Sequence, residues 1–376
     1  MVPDRSPPNE ATGRGRRRVV LLKSVTAMLA SLAGLLLASP VNPPRATGPV
    51  TDVEWNALLM RHRDGGVIDL GERSVAFVPQ RFQPRAQVTI RGGVFGPIQL
   101  DQWRNVVFDG SRFAAPPGTP VSQSLIVAND AQRLVIRNCR FTGYRGEDGT
   151  LRIRGPLIRG GQDVTIERST FEDMLGNLAF IRAHGVRFRD NELRRIREGI
   201  QIVGGSDIVI ERNRFADYQP APGDHADAIQ LFMNGLKPDE PATQDLTIRD
   251  NLFLAGSKTQ VIFIGGGKER LGSGLGYARF TIEGNVIVGA VWHGISAPFV
   301  SDMTVRGNRL FRVADLDQYD SRIMAGGENV VVQDNEANAF ILTDGVSEAR
   351  NRKVGPSKAA KVDSVIAEWV AKYRPR

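Results

Sequence analysis

Short runs of alternating hydrophobic and polar residues recur along most of the chain. In Val164-x-Ile166 the apolar side chains occupy every second position, and Ser169-x-Phe171 follows the run. A period of two is typical of a strand that buries one face. A second apolar run lies between successive units, as in residues 199–203. The pattern therefore predicts short strands separated by bends, with two strands in each repeating unit.

A polar residue, usually asparagine, ends the first strand of each unit. It recurs at Asn138, Ser169, Asn191, Asn213, Asn251, Asn285, Asn308 and Asn335. The shortest spacing is 22 residues, and spacings of up to 38 indicate loops inserted into one unit. A coil of about 22 residues fits a parallel β-helix, whose strands stack about 4.8 Å apart, better than a leucine-rich repeat or a propeller. We expect these asparagines to stack at one corner and to bond the backbone there.

The repeat array has a distinct segment before it and amphipathic stretches at its ends. Residues 1–45 contain a basic stretch, an apolar run and a Pro-rich tail, the order expected of an export signal or an N-terminal anchor. Residues 46–356 form the β-helix, which opens with a helix whose N-cap is Thr51 or Asp52. Residues 357–376 form a helix that we expect to cap the open end. The sequence predicts a periplasmic or secreted protein with no membrane contact beyond its N-terminal segment.

Two features of the array resemble a known superfamily. The Gly65-Gly66-x-Ile68-x-Leu70 sequence after the first helix and the Asn-x-Phe ends of the coils resemble pectate-lyase-like right-handed β-helix proteins. The resemblance covers roughly residues 50–355 and implies an all-β, right-handed parallel β-helix with short terminal helices. This superfamily holds polysaccharide lyases, glycoside hydrolases, uronate epimerases and phage tailspikes. It therefore implies a carbohydrate-active protein without choosing the reaction.

Charge and cysteine content exclude several other classes of function. The net charge is +8, but residues 1–45 contain seven basic and two acidic residues and account for +5 of it. The rest of the chain lacks the dense basic surface that nucleic-acid binding requires, so we expect no nucleic-acid partner. The single cysteine, Cys139, excludes an intrachain disulfide and a cysteine-based metal cluster.

The second strands are predicted to gather polar side chains on one surface. We align these strands on Leu178, Ile200, Ile229, Val261 and Ile295. This alignment turns Gln201 and Gln230 outward, where we expect them to contact substrate together with Gln260. It places Glu198, Asp227 and His293 two positions before the aligned residues, and Arg197, Lys258 and Trp292 three positions before them. The surface is the candidate groove.

The most specific motif is His225-x-Asp227-x-Ile229-Gln230. It resembles a signature of secreted β-helix proteins thought to act on polysaccharides. A carboxylate beside an imidazole fixes its tautomer and raises its pKa, which suits a general base. In the alignment His293 lies two coils from Asp227, about 10 Å away, so both can flank one glycosidic bond. We therefore interpret His225, Asp227 and His293 as catalytic.

Basic and aromatic residues beside this motif favour an acidic polysaccharide. β-Elimination on a uronate removes a proton next to a carboxylate, which a basic group must neutralise. Lys258 and Arg197 are placed for this role, and Arg182 extends a basic strip toward the N-terminal coils. Tyr218 is a candidate proton donor to the leaving oxygen, and Trp292 is a candidate stacking platform for a pyranose.

Several functions stay open. The first hypothesis is an exported lyase that cleaves an acidic polysaccharide by β-elimination. A glycoside hydrolase needs two carboxyl groups about 5–10 Å apart, which Glu198 and Asp227 satisfy if their coils are neighbours, and a uronate epimerase uses the same fold. A non-catalytic polysaccharide-binding or surface protein would instead line its groove with aromatic residues. No cofactor is expected, although Asp224, Asp227 and Glu198 offer a few oxygen ligands for Ca²⁺.

Overall fold

The computed structural model describes residues 48–75, 81–176, 178–224, 226–314 and 316–373. Of Lys258 it describes the backbone alone. The predicted export signal in residues 1–45 lies outside the described residues, and so does the proposed catalytic His225. Within the described ranges, no helix is long and apolar enough to cross a membrane.

The described chain begins and ends with a helix and consists mainly of short strands. The helices are α1 (Asp52–Arg61) and α2 (Ala359–Tyr373), and single 3₁₀ turns cover Gly256–Lys258 and Lys268–Arg270. The strands of the N-terminal half are β1 (Gly66–Val75), β2 (Val88–Phe95), β3 (Ile98–Gln99), β4 (Arg104–Asp109), β5 (Arg112–Ala114), β6 (Ile126–Asn129), β7 (Gln132–Arg137), β8 (Arg140–Thr142), β9 (Leu157–Arg159), β10 (Gln162–Glu167), β11 (Thr170–Met174), β12 (Leu178–Ile181), β13 (His184–Arg189), β14 (Glu192–Ile196), β15 (Ile200–Val203) and β16 (Ser206–Glu211). Those that follow are β17 (Arg214–Ala216), β18 (Asp227–Leu231), β19 (Gln244–Arg249), β20 (Leu252–Leu254), β21 (Gln260–Ile264), β22 (Tyr277–Glu283), β23 (Val286–Val288), β24 (His293–Ala297), β25 (Val300–Arg306), β26 (Arg309–Phe311), β27 (Arg322–Ala325), β28 (Val330–Gln333), β29 (Glu336–Ala337), β30 (Ala339–Leu342), β31 (Ser347–Ala349) and β32 (Arg352–Lys353).

These strands form two parallel sheets that wind around one apolar core. In the described residues the large sheet has 22 strands and the small sheet has 10. A coil usually contributes two strands to the large sheet, separated by a bend, and one to the small sheet, as β13, β14 and β15 do. The predicted parallel β-helix is confirmed. The prediction of two strands per coil is wrong, because the segment after the bend is often three residues long and too short to show alternation.

The predicted asparagine ladder is present at the bend. Asn213 is buried, and its Oδ1 accepts a hydrogen bond from the Asn191 backbone N–H at 2.9 Å. Its Nδ2 donates to the carbonyl oxygen of Phe188 at 2.9 Å and to Oδ1 of Asn251 at 3.0 Å. The same pattern links Asn191, Asn213, Asn251, Asn285, Asn308, Asn335 and Asn351. The ladder therefore satisfies buried backbone and side-chain groups together.

Asn138 is not a member of this ladder. Phe141 pairs with Phe171, so Cys139 rather than Asn138 stands opposite Ser169. The Cys139 backbone N–H donates to Ser169 Oγ at 3.1 Å, while Asn138 is exposed with a φ of 54°. The prediction failed because the two neighbouring residues both fit a bend, and only the pairing of the following strands distinguishes them.

A second ladder, of alternating charge, runs along the outer surface of the large sheet. Basic and acidic residues pair across nine successive coils in the order Arg91, Asp109, Arg137, Glu167, Arg189, Glu211, Arg249, Glu283 and Arg306. Ion pairs within it include Arg189–Glu167 at 2.8 Å and Arg249–Glu211 at 2.6 Å. Opposite charges directly across a strand pair are favourable. Many of the arginines therefore hold the coils in register and do not form a basic binding surface.

The two helices cover different parts of the β-helix. Helix α1 closes the N-terminal end, with Thr51 as its N-cap and buried Trp55 packed edge-on against Phe95 at 6.0 Å between ring centres. Helix α2 does not sit over the C-terminal end as expected. Its buried face, which includes Trp369, packs against Leu252 and neighbouring outward-facing residues of β20, β23 and β26. The reason is that outward-facing positions of these strands also carry apolar side chains. These side chains form a stripe, and the apolar face of α2 covers it.

Candidate functional site

Polar residues line the edge at which the strands of the small sheet begin. The register pairs Arg154 with Gly176, Asp227 with Gln260, and His293 with Arg322. The pairs Ile200–Ile229 and Ile262–Ile295 link these into one column. We call it the edge column, and its members are Arg154, Gly176, Glu198, Asp227, Gln260, His293 and Arg322. Successive members lie about 4.8 Å apart along the axis.

Two carboxyl groups occupy neighbouring coils at the centre of the edge column. Asp227 is 5% exposed, and burial raises the pKa of its carboxyl to about 7, with the neighbouring Glu198 charge adding to the shift. Burial also raises the pKa of Glu198, while Arg197 and Arg154 oppose that shift. Two carboxyl groups that share a dry site favour protonation of one of them. The pair can therefore carry one proton near neutral pH.

Several polar atoms around this pair are buried and make no hydrogen bond within the described residues. They are Tyr218 Oη, Asp227 Oδ1, Thr259 Oγ1, Gln260 Oε1, His293 Nδ1 and Arg322 Nε, together with Arg154 Nε at the other end of the column. Each such group costs about 1–3 kcal/mol when it is left without a partner. Their concentration along one edge makes it the candidate site for a ligand that carries polar groups.

The imidazole of His293 lies two coils from Asp227, as the alignment predicted. Burial lowers the pKa of His293, and the positive charge of Arg322 lowers it further. The ring is therefore neutral at pH 7 and offers one nitrogen as a proton acceptor. It lies 6.4 Å from the Phe263 ring, measured between ring centres.

The two predicted outward-facing glutamines stand beside the carboxyl pair. Gln201 pairs with Gln230 in register, and its Nε2 lies 3.4 Å from Gln230 Oε1 and 3.5 Å from Glu198 Oε2. Both side chains are partly exposed. These long contacts leave their amide groups available to sugar hydroxyl groups.

The alignment fails at one strand, and this removes Lys258 from its predicted position. Ile229 pairs with Ile262 and not with Val261, so Gln230 stands opposite Phe263. Lys258 then lies one residue earlier in its own coil than the alignment predicted, in a 3₁₀ turn ahead of β21. The sequence Val261-Ile-Phe-Ile is apolar throughout, and a register cannot be read from a run without alternation.

Arg182 is not part of the site. It follows β12, at the opposite end of the small-sheet strand from the edge column. Its guanidinium forms a two-point ion pair with Glu240 and donates to the carbonyl oxygen of Gly235 at 2.7 Å. It therefore fastens the loop over residues 232–243.

Arg197 lies beside the edge column but is also paired. It forms a two-point ion pair with Asp224, whose Oδ2 accepts a further hydrogen bond from the Ala221 N–H at 2.7 Å. Asp224 thus fixes the turn before β18, and it is not presented with Glu198 and Asp227 as a calcium set. Within the described residues no three His, Cys, Asp or Glu side chains are grouped as metal ligands.

The two aromatic residues predicted for the site, Tyr218 and Trp292, differ in their exposure to solvent. Tyr218 is 3% exposed, and burial together with the Asp227 charge raises its pKa well above the usual range. A phenol that is buried and holds its proton so tightly does not suit the predicted donation to a leaving oxygen.

Trp292 is 38% exposed, with a φ of 60°, and packs edge-on against Tyr319 at 5.9 Å between ring centres. Similar φ values recur at bends of many coils, as at Asp190 and Arg195, so this one does not by itself mark a functional residue.

Three residues of the site carry no sequence signal of their own. Thr259 and Arg322 enter the edge of the small sheet through the register, and Tyr319 reaches Trp292 from a later loop. None of them belongs to a motif, so only the stacking of coils identifies them.

The geometry can be set beside known proteins. Residues 98–271 match the family model described as a right handed beta helix region. No curated protein matches the chain. The predicted right-handed parallel β-helix is confirmed.

Three solved structures illustrate the similarity. PfbA, a surface adhesin of Streptococcus pneumoniae, is 14% identical with a TM-score of 0.49, over 76% of this chain and 79% of that chain. An exopolygalacturonase from Thermotoga maritima is 7% identical with a TM-score of 0.45, over 80% and 87%. The A-module of the mannuronan C-5 epimerase AlgE6 from Azotobacter vinelandii is 11% identical with a TM-score of 0.45, over 81% and 95%. At such identities the similarities concern architecture and assign no chemistry.

Proposed function

We propose that this right-handed parallel β-helix protein is exported, binds a polysaccharide along the edge column, and cleaves it by acid–base chemistry between Glu198 and Asp227. One observation carries the proposal. Two carboxyl groups lie in neighbouring coils, and burial raises the pKa of both, that of Asp227 to about 7. Glycoside cleavage requires such a pair, with one member protonated.

The environments of the two carboxyl groups suggest their roles. Asp227 holds its proton near neutral pH and would donate it to the glycosidic oxygen as the bond to the anomeric carbon breaks. Glu198 lies beside the positive charges of Arg197 and Arg154, which favour its ionised form. As a carboxylate it would attack the anomeric carbon and form a glycosyl ester. Water, deprotonated by the Asp227 carboxylate, would then hydrolyse this ester and release the sugar. The backbones of the two coils lie about 4.8 Å apart, so the two side chains can approach each other as the carboxyl groups of a retaining pair do, about 5–5.5 Å apart.

The remaining groups would bind and orient the sugar chain. Gln201 and Gln230 offer amide groups beside the pair, and Gln260 offers a buried Oε1 without a protein partner. Trp292 presents an exposed ring beyond His293. An aromatic face packs against the C–H face of a pyranose, while amides bond its hydroxyl groups.

A second candidate is β-elimination on a uronate, and the arginines at the two ends of the column favour it. Arg154 Nε and Arg322 Nε are buried and have no hydrogen-bond partner among the described residues, and both would bind sugar carboxylates. His293, neutral because its pKa is lowered, would remove the proton next to the carboxylate. His225, which lies outside the described residues, keeps its predicted catalytic role in this alternative, whereas Lys258 has lost the position on which its predicted role rested.

A panel of neutral and acidic polysaccharides separates the candidates. New reducing ends without the ultraviolet absorbance of an unsaturated uronate would support the carboxyl-pair mechanism, whereas ends with that absorbance would support elimination. Asp227→Asn and Glu198→Gln should abolish the first reaction. Asp245→Asn, which removes an exposed carboxyl on the large sheet, is the matched control. Binding without new ends would indicate a non-catalytic protein and contradict the proposal.

A further inference from the structure

A cavity of about 530 Å³ lies beside the edge column. Two loops form its walls: residues 145–152, inserted in the coil of Arg154, and residues 219–222, inserted before Asp227. Leu175 and Arg197 line it from the two coils between these loops. We call this cavity the loop pocket. Its volume falls within the range of about 300–1,000 Å³ that small-molecule sites have.

The walls of the loop pocket are preformed. Arg145 and Leu151 pair in an antiparallel bridge, and the Gly146 N–H donates to the Thr150 carbonyl oxygen at 2.9 Å, so the first wall is a tight hairpin. A hydrogen bond from Arg145 to Gln219 joins the hairpin to the second wall. The space therefore exists without a closing motion, and the two loops meet across it.

The loop pocket opens next to the carboxyl pair. Leu175 and Arg197 line it, and each directly precedes a member of the edge column, Gly176 and Glu198. A group held in the pocket therefore contacts residues that directly precede Gly176 and Glu198 in the chain. Because the hydrogen bond from Arg145 to Gln219 bridges the two loops, a sugar chain that enters the pocket from the edge column would end against them.

The lining combines polar groups of both signs with apolar surface. Arg145 lies 3.5 Å from Asp173, Arg152 lies 2.5 Å from Asp148, and Arg197 pairs with Asp224. Each guanidinium is thus neutralised by a carboxylate, although it retains N–H donors. Apolar surface comes from Leu151, Leu175, Pro220 and Pro222. A neutral sugar matches this lining, since it carries hydroxyl groups around its rim and C–H groups on its faces.

We infer that the loop pocket holds the terminal, uncharged sugar residue of a polysaccharide, so that the chain is attacked from its end. This inference rests on the proposed function, because small sugars are released only if the protein cleaves the polysaccharide. The pocket would position the terminal residue while the next glycosidic bond lies over Glu198 and Asp227. Specificity for the chain end would then come from the two loops, and the chemistry from the edge column.

Filling the pocket tests this inference. Ala221 is exposed and lines the pocket, so Ala221→Trp should block it without touching the edge column. Ala114→Trp, at an exposed position on the large sheet, is the matched control. On a polymer that the wild-type protein cleaves, we expect sugar release with little loss of viscosity. Ala221→Trp should slow this release at least tenfold, and Ala114→Trp should not.

A binding measurement keeps the pocket testable if no polymer is cleaved. Saturation-transfer NMR with the methyl glycosides of glucose, galactose and mannose should show binding of at least one of them to the wild-type protein and to Glu198→Gln. Ala221→Trp should abolish that signal, and methyl glucuronide should bind more weakly. A rapid fall in viscosity with normal rates in Ala221→Trp would overturn end recognition while leaving the proposed function intact. If no glycoside binds the wild-type protein, or if one binds the wild-type protein and Ala221→Trp equally well, the pocket is not a sugar site.

Discussion

The asparagine corner and the edge column are built in the same way, yet they differ in hydrogen bonding. Both stack one polar residue per coil at a bend or a strand start. In the corner, Asn213 uses its amide to bond two neighbouring coils. In the edge column, Asp227, Gln260 and His293 each keep a buried polar atom without a partner in the described residues.

This difference separates a structural role from a functional one. A fully bonded ladder has no capacity left for a ligand, and it gains stability from every coil it crosses. An unbonded polar atom in the edge column costs stability, and that cost is recovered when water or a ligand supplies the missing partner. The comparison therefore supports the edge column as the candidate site.

The largest expected effect comes from Asp227→Asn. Loss of the proton donor should lower the cleavage rate about 10²- to 10⁴-fold. Stability should stay the same or rise, because the variant removes a buried carboxyl without a full set of partners. Initial rates and thermal unfolding measure the two effects. Wild-type rates in Asp227→Asn would show that the edge column is not catalytic.

The pH dependence of stability gives the next largest effect. The pKa of Asp227 is about 7 in the folded protein, above the value of about 3.9 in an unfolded chain. The folded state therefore holds the proton more tightly, and the stabilisation present below about pH 4 is lost as the pH rises through 7. Relative to Asp227→Asn, the wild-type protein should lose about 1.4 kcal/mol of unfolding free energy per pH unit in this interval. Urea unfolding at several pH values checks this, and parallel curves for the two proteins would contradict it.

Breaking the asparagine ladder should affect stability and leave the chemistry unchanged. Asn213→Ala removes the acceptor of the Asn191 N–H and the donor to the Phe188 carbonyl oxygen. A loss of about 1–3 kcal/mol is expected. Asn351→Ala, at the partly exposed end of the ladder, should cost less. Urea unfolding measures both, and rates measured well below the unfolding temperature should match the wild type. Equal losses in the two variants would mean that the ladder is not the source.

The smallest expected effect on stability concerns two buried threonines, one with and one without a hydrogen-bond partner among the described residues. The Thr259 hydroxyl has no partner in the part of the chain that the structure describes, whereas the Thr243 hydroxyl donates to the Gly204 carbonyl oxygen at 3.2 Å. Thr259→Val should stabilise the protein by up to about 1 kcal/mol, and Thr243→Val should destabilise it by about 1 kcal/mol. Thermal unfolding of the two variants gives the signs. The same sign for both would mean that the hydroxyl of Thr259 is satisfied in solution.

Much of the fold could be predicted from local rules. Alternation at Val164 and Ile166 and the 22-residue spacing of Asn191 and Asn213 each reflect one coil, and every coil repeats them. The Thr51 cap likewise depends on a few adjacent residues. The predicted grouping of site residues holds only in part, since Asp227, Glu198, Gln230 and His293 lie together, whereas Arg182 is tied to Glu240 elsewhere.

The failures share a physical reason. Asn138 and the Val261 alignment went wrong where neighbouring residues were equally suited to a position, so that the pairing with the next coil decided the register. Helix α2 went to the side of the β-helix because an apolar stripe formed only once β20, β23 and β26 had stacked.

The amino-acid sequence by itself determined the coil, its period, its asparagine corner and the region in which polar residues gather. Those features are local, because alternation and bend residues act within a single coil. The tertiary structure alone decided which polar atoms lack partners, that Tyr218 is buried, and that the hairpin at Arg145 meets Gln219 to close a pocket. These features depend on contacts between coils separated by long loops, and no local pattern encodes such contacts.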